Sequence, residues 1–189
     1  MLIENRFDLG APMPADIIEL RVGAAEQLYH TLDPLPFRER DLDSEAEEYI
    51  VSSARELPEK ADIRIQIHMP AAEAGREEAR ALVPAIRGYF RYRSRVVTGD
   101  LRELFRSGRQ SLFIGLAVLA SCIAAVQFLS RLFPASPFTG FVSEGLLILG
   151  WVANWRPIEI FLYDWWPIRR RRVLLDRLSA ASIEILTEP

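Results

Sequence analysis

Residues 110–130, QSLFIGLAVLASCIAAVQFLS, carry no charged side chain. At about 1.5 Å of rise per residue, a helix of that length covers the roughly 30 Å hydrocarbon core of a bilayer. A helix buried in a soluble protein would compete as an explanation, but no polar face runs along the segment. The run therefore predicts a transmembrane helix. Pro134-Ala135-Ser136-Pro137 cannot continue that helix and reads as a loop. A second apolar stretch, residues 138–155, follows and is interrupted only by Glu144. It is near the lower length limit for a span, and its apolar character continues through Ile158, Ile160, Phe161 and Leu162. The pair is expected to form an antiparallel transmembrane hairpin. One span followed by a re-entrant or interfacial segment is the competing reading.

The net charge of −3 hides a strong asymmetry. Residues 1–62 hold 15 acids and 6 bases, residues 87–109 hold 7 bases and 2 acids, and residues 169–177 hold five Arg and one Asp. Arg102, Arg106 and Arg109 precede the first span, Arg169, Arg170, Arg171 and Arg172 follow the second, and the connection has no base beyond Arg131. The positive-inside rule then puts both termini in the cytoplasm. Trp151, Trp155, Tyr163, Trp165 and Trp166 cluster where an aromatic belt would sit. The opening MLIENRFDLG is charged early and has no apolar core, so the first span itself is expected to direct insertion.

The rest of the chain reads as a small cytoplasmic α/β domain. Residues 17–22 and 63–69 look like strands, the second alternating strictly, and residues 182–186 form a weaker third. Between the first two lies a helix that opens on a capping-box pattern, Ser44 with Glu47, and stops at Pro58. Strand, helix, strand implies a right-handed parallel crossover. Residues 74–97 form another apolar-striped helix, broken at Thr98-Gly99, and Asp100 with Glu103 opens the next helix into the membrane. The expected fold class is membrane α/β: a three-stranded cytoplasmic domain over residues 1–99, a transmembrane hairpin over 100–166, and a basic helix with a closing strand over 167–189.

Two segments carry a resemblance. DPLPFRERDLDSEAEEYIVSSARELP, residues 33–58, and EGLLILGWVANWRPIEIFLYDWWPIRRRR, residues 144–172, are similar to recurring segments of a family of uncharacterised bacterial two-span inner-membrane proteins. The resemblance covers 55 of 189 residues and implies a bacterial inner-membrane setting with no associated chemistry. One Lys against 22 Arg is consistent with a GC-rich genome.

Candidate chemistry is sparse. The single cysteine, Cys122, excludes an internal disulfide, and two histidines, His30 and His68, argue against a His-based metal site. Asp41-Leu42-Asp43-Ser44-Glu45 starts like a calcium loop, but position six is Ala46 and position twelve is Ser52, so a carboxylate-rich helix N-terminus explains it better. There is no P-loop, dinucleotide fingerprint or HExxH motif. No cofactor, metal or catalytic residue is expected.

The interleaved Arg91, Arg93 and Arg95, with Arg169–Arg172, are expected to meet anionic lipid head groups or a protein partner. Pairing within the chain is the alternative for the first three, and nucleic acid is not expected. Ala117, Ser121 and Ala125 form a small-residue stripe suited to helix packing against the second span or a neighbouring subunit. Arg131 and Glu144 are expected to pair at the outer interface. Together these features point to a non-catalytic, membrane-anchored interaction or accessory subunit, with protein partners or a homo-oligomer. A channel-like or transporter-like oligomer using Glu144 and Arg156 is the alternative.

Overall fold

A computed structural model describes residues 16–29, 42–59, 61–133 and 137–188. The elements run β1 (Ile17–Arg21), a 3-10 turn (Ala25–Leu28), α1 (Ser44–Glu56), β2 (Arg64–Pro70), α2 (Ala71–Ala74), α3 (Glu77–Leu132), α4 (Pro137–Val152), α5 (Trp155–Glu159), a π-helical turn (Ile160–Asp164), α6 (Trp165–Ala180) and β3 (Ser182–Glu188). They divide into two compact units. One contains the residues up to Arg95 and from Val173 onward, and the other is Val96–Arg172.

The first unit is built on a three-stranded parallel sheet in the order β1-β2-β3. Ile18 lies beside Ile65, and Ile65 beside Ile183, so the alternating apolar residues of all three strands fall on one face. Ile18, Ile65 and Ile183 on that face are buried, and so are Ile50 and Ala54 of α1, Leu82, Ile86 and Phe90 of α3, and Leu175 and Leu178 of α6, which complete the core of this unit. Each fully buried side chain of this size contributes roughly 1.5–3 kcal/mol. On the opposite face, Glu19, Gln66 and Glu184 lie in one row and none is buried. The parallel pairing of the first two strands agrees with the crossover read from the sequence.

Two local readings change. The cap of α1 is Asp43, one residue earlier than the Ser44 box predicts. Its carboxylate accepts from the amide of Glu45 at 3.0 Å and its carbonyl from that of Glu47 at 2.9 Å. Glu47 is thereby released from capping and bonds elsewhere. The break expected at Thr98-Gly99 does not occur either, and α3 runs through it without interruption. A helical glycine costs about 1 kcal/mol relative to alanine. Buried residues on both sides, Phe90 and Val97 before it and Gly108 after it, hold the helix together through that cost. Pro84 is likewise inside α3, at an exposed position where the carbonyl of Arg80 can be hydrated.

The second unit contains most of α3, then α4, α5, the π-helical turn and the start of α6. Two stretches, within Glu77–Leu132 and Phe138–Ala180, are long and apolar enough to cross a membrane. Pro134 to Ser136, read as the connecting loop, lies outside the described residues, and so does His30.

Candidate membrane-facing site and interhelical seam

In the second unit the largest apolar side chains point outward. Phe113 and Phe141 are each 76% exposed, and Ile114, Phe128, Phe138, Ile148 and Trp151 are exposed as well. A water-soluble protein seldom leaves so many large apolar side chains uncovered in one unit, which agrees with the two stretches long and apolar enough to cross a membrane.

Much of what is buried in this unit is small. Gly108, Gly115 and Cys122 recur every seven residues on α3 and are all buried. Opposite them, Gly150, Asn154, Pro157 and Ile160 are buried. A β-carbon added to Gly108 would meet Ile160 Cγ2 at 2.8 Å, one on Gly115 would meet Asn154 Oδ1 at 2.7 Å, and one on Gly150 would meet Leu119 Cδ1 at 2.7 Å. As residue numbers rise along one segment, those of its contacts fall along the other. A seven-residue repeat matches the 3.5-residue period at which two helices stay in register, and small residues let the backbones approach.

Asn154 is the polar residue at the centre of this seam and is 6% exposed. The chain turns at Ala153-Asn154, where the Asn154 amide bonds the carbonyl of Trp151 rather than that of Gly150. The side-chain Nδ2 makes good the loss, donating to the Gly150 carbonyl at 2.9 Å and to the Gly115 carbonyl at 3.1 Å. Pro157 has no amide to give the carbonyl of Ala153, and that oxygen faces Gly115. A buried backbone group left unsatisfied costs about 1–3 kcal/mol, so one asparagine both repairs the helix break and ties the two segments together.

A charged cluster follows the break. Arg156 pairs with Asp164 at 2.9 Å across the π-helical turn and with Glu159 at 3.3 Å, while Trp155 Nε1 donates to Glu159 at 2.9 Å. Phe105 packs against Phe161 and Trp165, and the guanidinium of Arg169 lies 5.7 Å from the Trp165 ring centroid.

The sequence-derived residues distribute unevenly over these features. Ala117, Ser121 and Ala125 are all exposed, and the seam to the second segment passes instead through Gly108, Gly115 and Cys122. Arg131 and Glu144 are exposed too, and among the described residues no ion pair joins them. Neither lies on the seam, so packing does not draw them together. Arg156, the other residue of the channel reading, is held by two carboxylates. Asn154 and the glycine repeat were missed by sequence reasoning. The seven-residue spacing was the signal that would have found them.

In the first unit the arginines serve as ties. Arg93 makes two bonds to Glu47 Oε1, at 2.9 and 3.1 Å, and the Tyr89 hydroxyl donates to Glu47 Oε2 at 2.6 Å, so α1 is clamped to α3. Arg64 pairs with Asp16 at 2.6 Å. Arg87 donates to the Ala181 carbonyl, Arg177 to those of Pro58 and Ala61, and Ser94 bonds Asp176. Of the three arginines assigned to lipid, Arg93 is thus engaged within the chain, while Arg91 and Arg95 are exposed. Glu47 and Arg93 are partly buried, at 18% and 33% exposure. A double-mutant cycle with Glu47→Gln and Arg93→Gln should return a coupling of about 1 kcal/mol or more in thermal unfolding, and additive losses would dissolve the clamp.

Among the described residues no group of three or more His, Cys, Asp or Glu side chains is placed to hold a metal ion. No protein-family model, no curated protein and no solved structure matches the chain.

Proposed function

We propose that the chain is a two-span protein of a bacterial inner membrane, with Val96–Arg172 inserted as an antiparallel hairpin and the α/β unit held on the cytoplasmic side as a non-catalytic docking module for another protein. The observation that carries this reading is topological. β2 and β3 are hydrogen-bonded neighbours in one sheet, and both apolar segments lie between them in the chain. The chain leaves the sheet after β2 and returns to it at β3, so it crosses a membrane an even number of times. The outward-facing phenylalanines favour insertion over zero crossings, and the two long apolar segments support a count of two.

Arginine density supports the orientation, because both ends of the helix pair are basic and the connection is not. The docking role is supported by the sheet's second face. Parallel sheets are usually covered on both sides, yet Glu19, Gln66 and Glu184 in one row of that face are not buried.

Cysteine labelling in a Cys122→Ala background tests the reading. Ser136→Cys should react with a membrane-impermeant thiol reagent in intact spheroplasts, and Thr187→Cys only after permeabilisation. Equal labelling of both positions before permeabilisation, or the reverse pattern, would overturn it.

A further inference from the structure

Three shallow depressions run in succession along the outward face of α3. The first, of about 640 Å³, is lined by Arg102, Glu103, Arg106, Ser107 and Gln110. The second, of about 500 Å³, shares Arg106 and Gln110 with it and adds Arg109, Phe113 and Ile114. The third, of about 520 Å³, starts from the same Phe113 and Ile114 and continues over Ala117, Ser121 and Ala125. Each hands two residues to the next, so they form one trough that is basic at one end and apolar at the other.

We propose that this trough is a binding site for a single anionic glycerophospholipid, its phosphate held by Arg102, Arg106 and Arg109 and one acyl chain lying along Ile114 to Ala125. The proposal rests on the two-span reading and adds to it a residue-specific ligand. Its first support is charge. Arg64, Arg76, Arg93 and Arg156 each sit on a carboxylate, whereas Arg102, Arg106 and Arg109 have no ion-pair partner among the described residues. Glu103 is the one acid in the basic depression, leaving it net positive.

The second support is length. From Ile114 to Ala125 the helix rises about 16 Å, which is one leaflet of a hydrocarbon core about 30 Å thick. The third is shape, since Ala117, Ser121 and Ala125 leave a channel bordered by Phe113 and Leu146. A second copy of the chain is the other occupant such a channel suits. Inserted in the same orientation, that copy would set its own Arg102, Arg106 and Arg109 against these, and like charges repel. A phosphate brings the opposite sign.

Native mass spectrometry of the full chain in mild detergent, with added phosphatidylglycerol or phosphatidylcholine, tests the site. The protein should retain one phosphatidylglycerol per chain and lose phosphatidylcholine. The triple variant Arg102→Gln, Arg106→Gln, Arg109→Gln should lower that retention by at least about tenfold, as expected for losing three lipid-facing bases. Ser121→Leu, which fills the apolar part of the trough, should lower it without touching a charge, and Arg131→Gln should leave it unchanged. Unaltered retention in both the triple variant and Ser121→Leu would overturn the proposal. So would equal retention of the two lipids, or a dimer that Ser121→Leu abolishes. Each variant is also carried through the Ser136 labelling, so a failure of the trough with normal labelling is distinct from a failure of the spans.

Discussion

Gly115→Ala should be the most destabilising single methyl group added anywhere along the helix pair. The new β-carbon would stand 2.9 Å from the Ala153 carbonyl oxygen and 2.7 Å from Asn154 Oδ1. The first of these is backbone, so no rotamer change relieves it, and moving Asn154 aside breaks the bonds to Gly115 and Gly150. Overpacking of this kind costs about 1–3 kcal/mol, and the lost interhelical hydrogen bond adds roughly 0.6 kcal/mol. Gly108→Ala meets the Cγ2 branch of Ile160 at 2.8 Å, and Gly150→Ala meets the flexible Leu119 Cδ1 at 2.7 Å with the Leu119 Cα at 3.3 Å; neither meets backbone closer than 3.0 Å, so each should cost less. Thermal unfolding in detergent should therefore rank Gly115→Ala last in stability. Gly115→Val should separate the helices altogether. A Gly115→Ala protein as stable as the parent would show that the seam is not where these contacts place it.

Phe90→Ala should remove a large share of the stability of the α/β unit. Phe90 is fully buried in the core of this unit, edge-on to Tyr89 with ring centroids 5.6 Å apart. Truncating a core phenylalanine costs about 3–5 kcal/mol, against a total stability of about 5–15 kcal/mol for an ordinary domain. Tyr92, two residues away in the same helix, is 56% exposed, and Tyr92→Ala should change stability by no more than about 0.5 kcal/mol. Limited proteolysis of full-length protein should show the contrast directly, with rapid cleavage within the unit for the first variant and a parental pattern for the second. Equal behaviour of the two would mean that the stripe through Phe90 does not face the sheet.

These two helical stretches also separate what was legible from what was not. The apolar stripe Leu82, Ile86, Phe90 and Val97 could be read in advance because each residue's chemistry states its preference for the interior. The three strands were legible for the same reason, since Ile63, Ile65, Ile67 and Met69 alternate with polar neighbours. The seam between the apolar segments was not. In a stretch where nearly every residue is apolar, hydrophobicity no longer distinguishes inside from outside, and size decides. Size offered two stripes on α3, a four-residue one through Ala117, Ser121 and Ala125 and a seven-residue one through Gly108, Gly115 and Cys122. Close approach to Gly150 and Asn154 selected the second.

Arginine partners were just as poorly specified. The sequence places Arg91, Arg93 and Arg95 in one basic run, and their spacing around α3 sends only Arg93 toward Glu47. Asp43 took the capping role that Ser44 and Glu47 were expected to share, which left the Glu47 carboxylate to receive it. Arg131 and Glu144 are both exposed, and among the described residues no direct ion pair joins them.

By itself, the sequence marked two apolar segments long enough to cross a membrane, flanked by arginine, and three short strands with apolar alternation. Composition and periodicity suffice for both, because both follow from local preference for water or its absence. The tertiary structure alone decided that α3 runs through Thr98-Gly99 without a break, that glycines seven residues apart face Asn154, and which arginines are tied to partners and which stay open. Those outcomes depend on contacts between residues far apart in the chain, where backbone approach and geometry outweigh any single residue's preference.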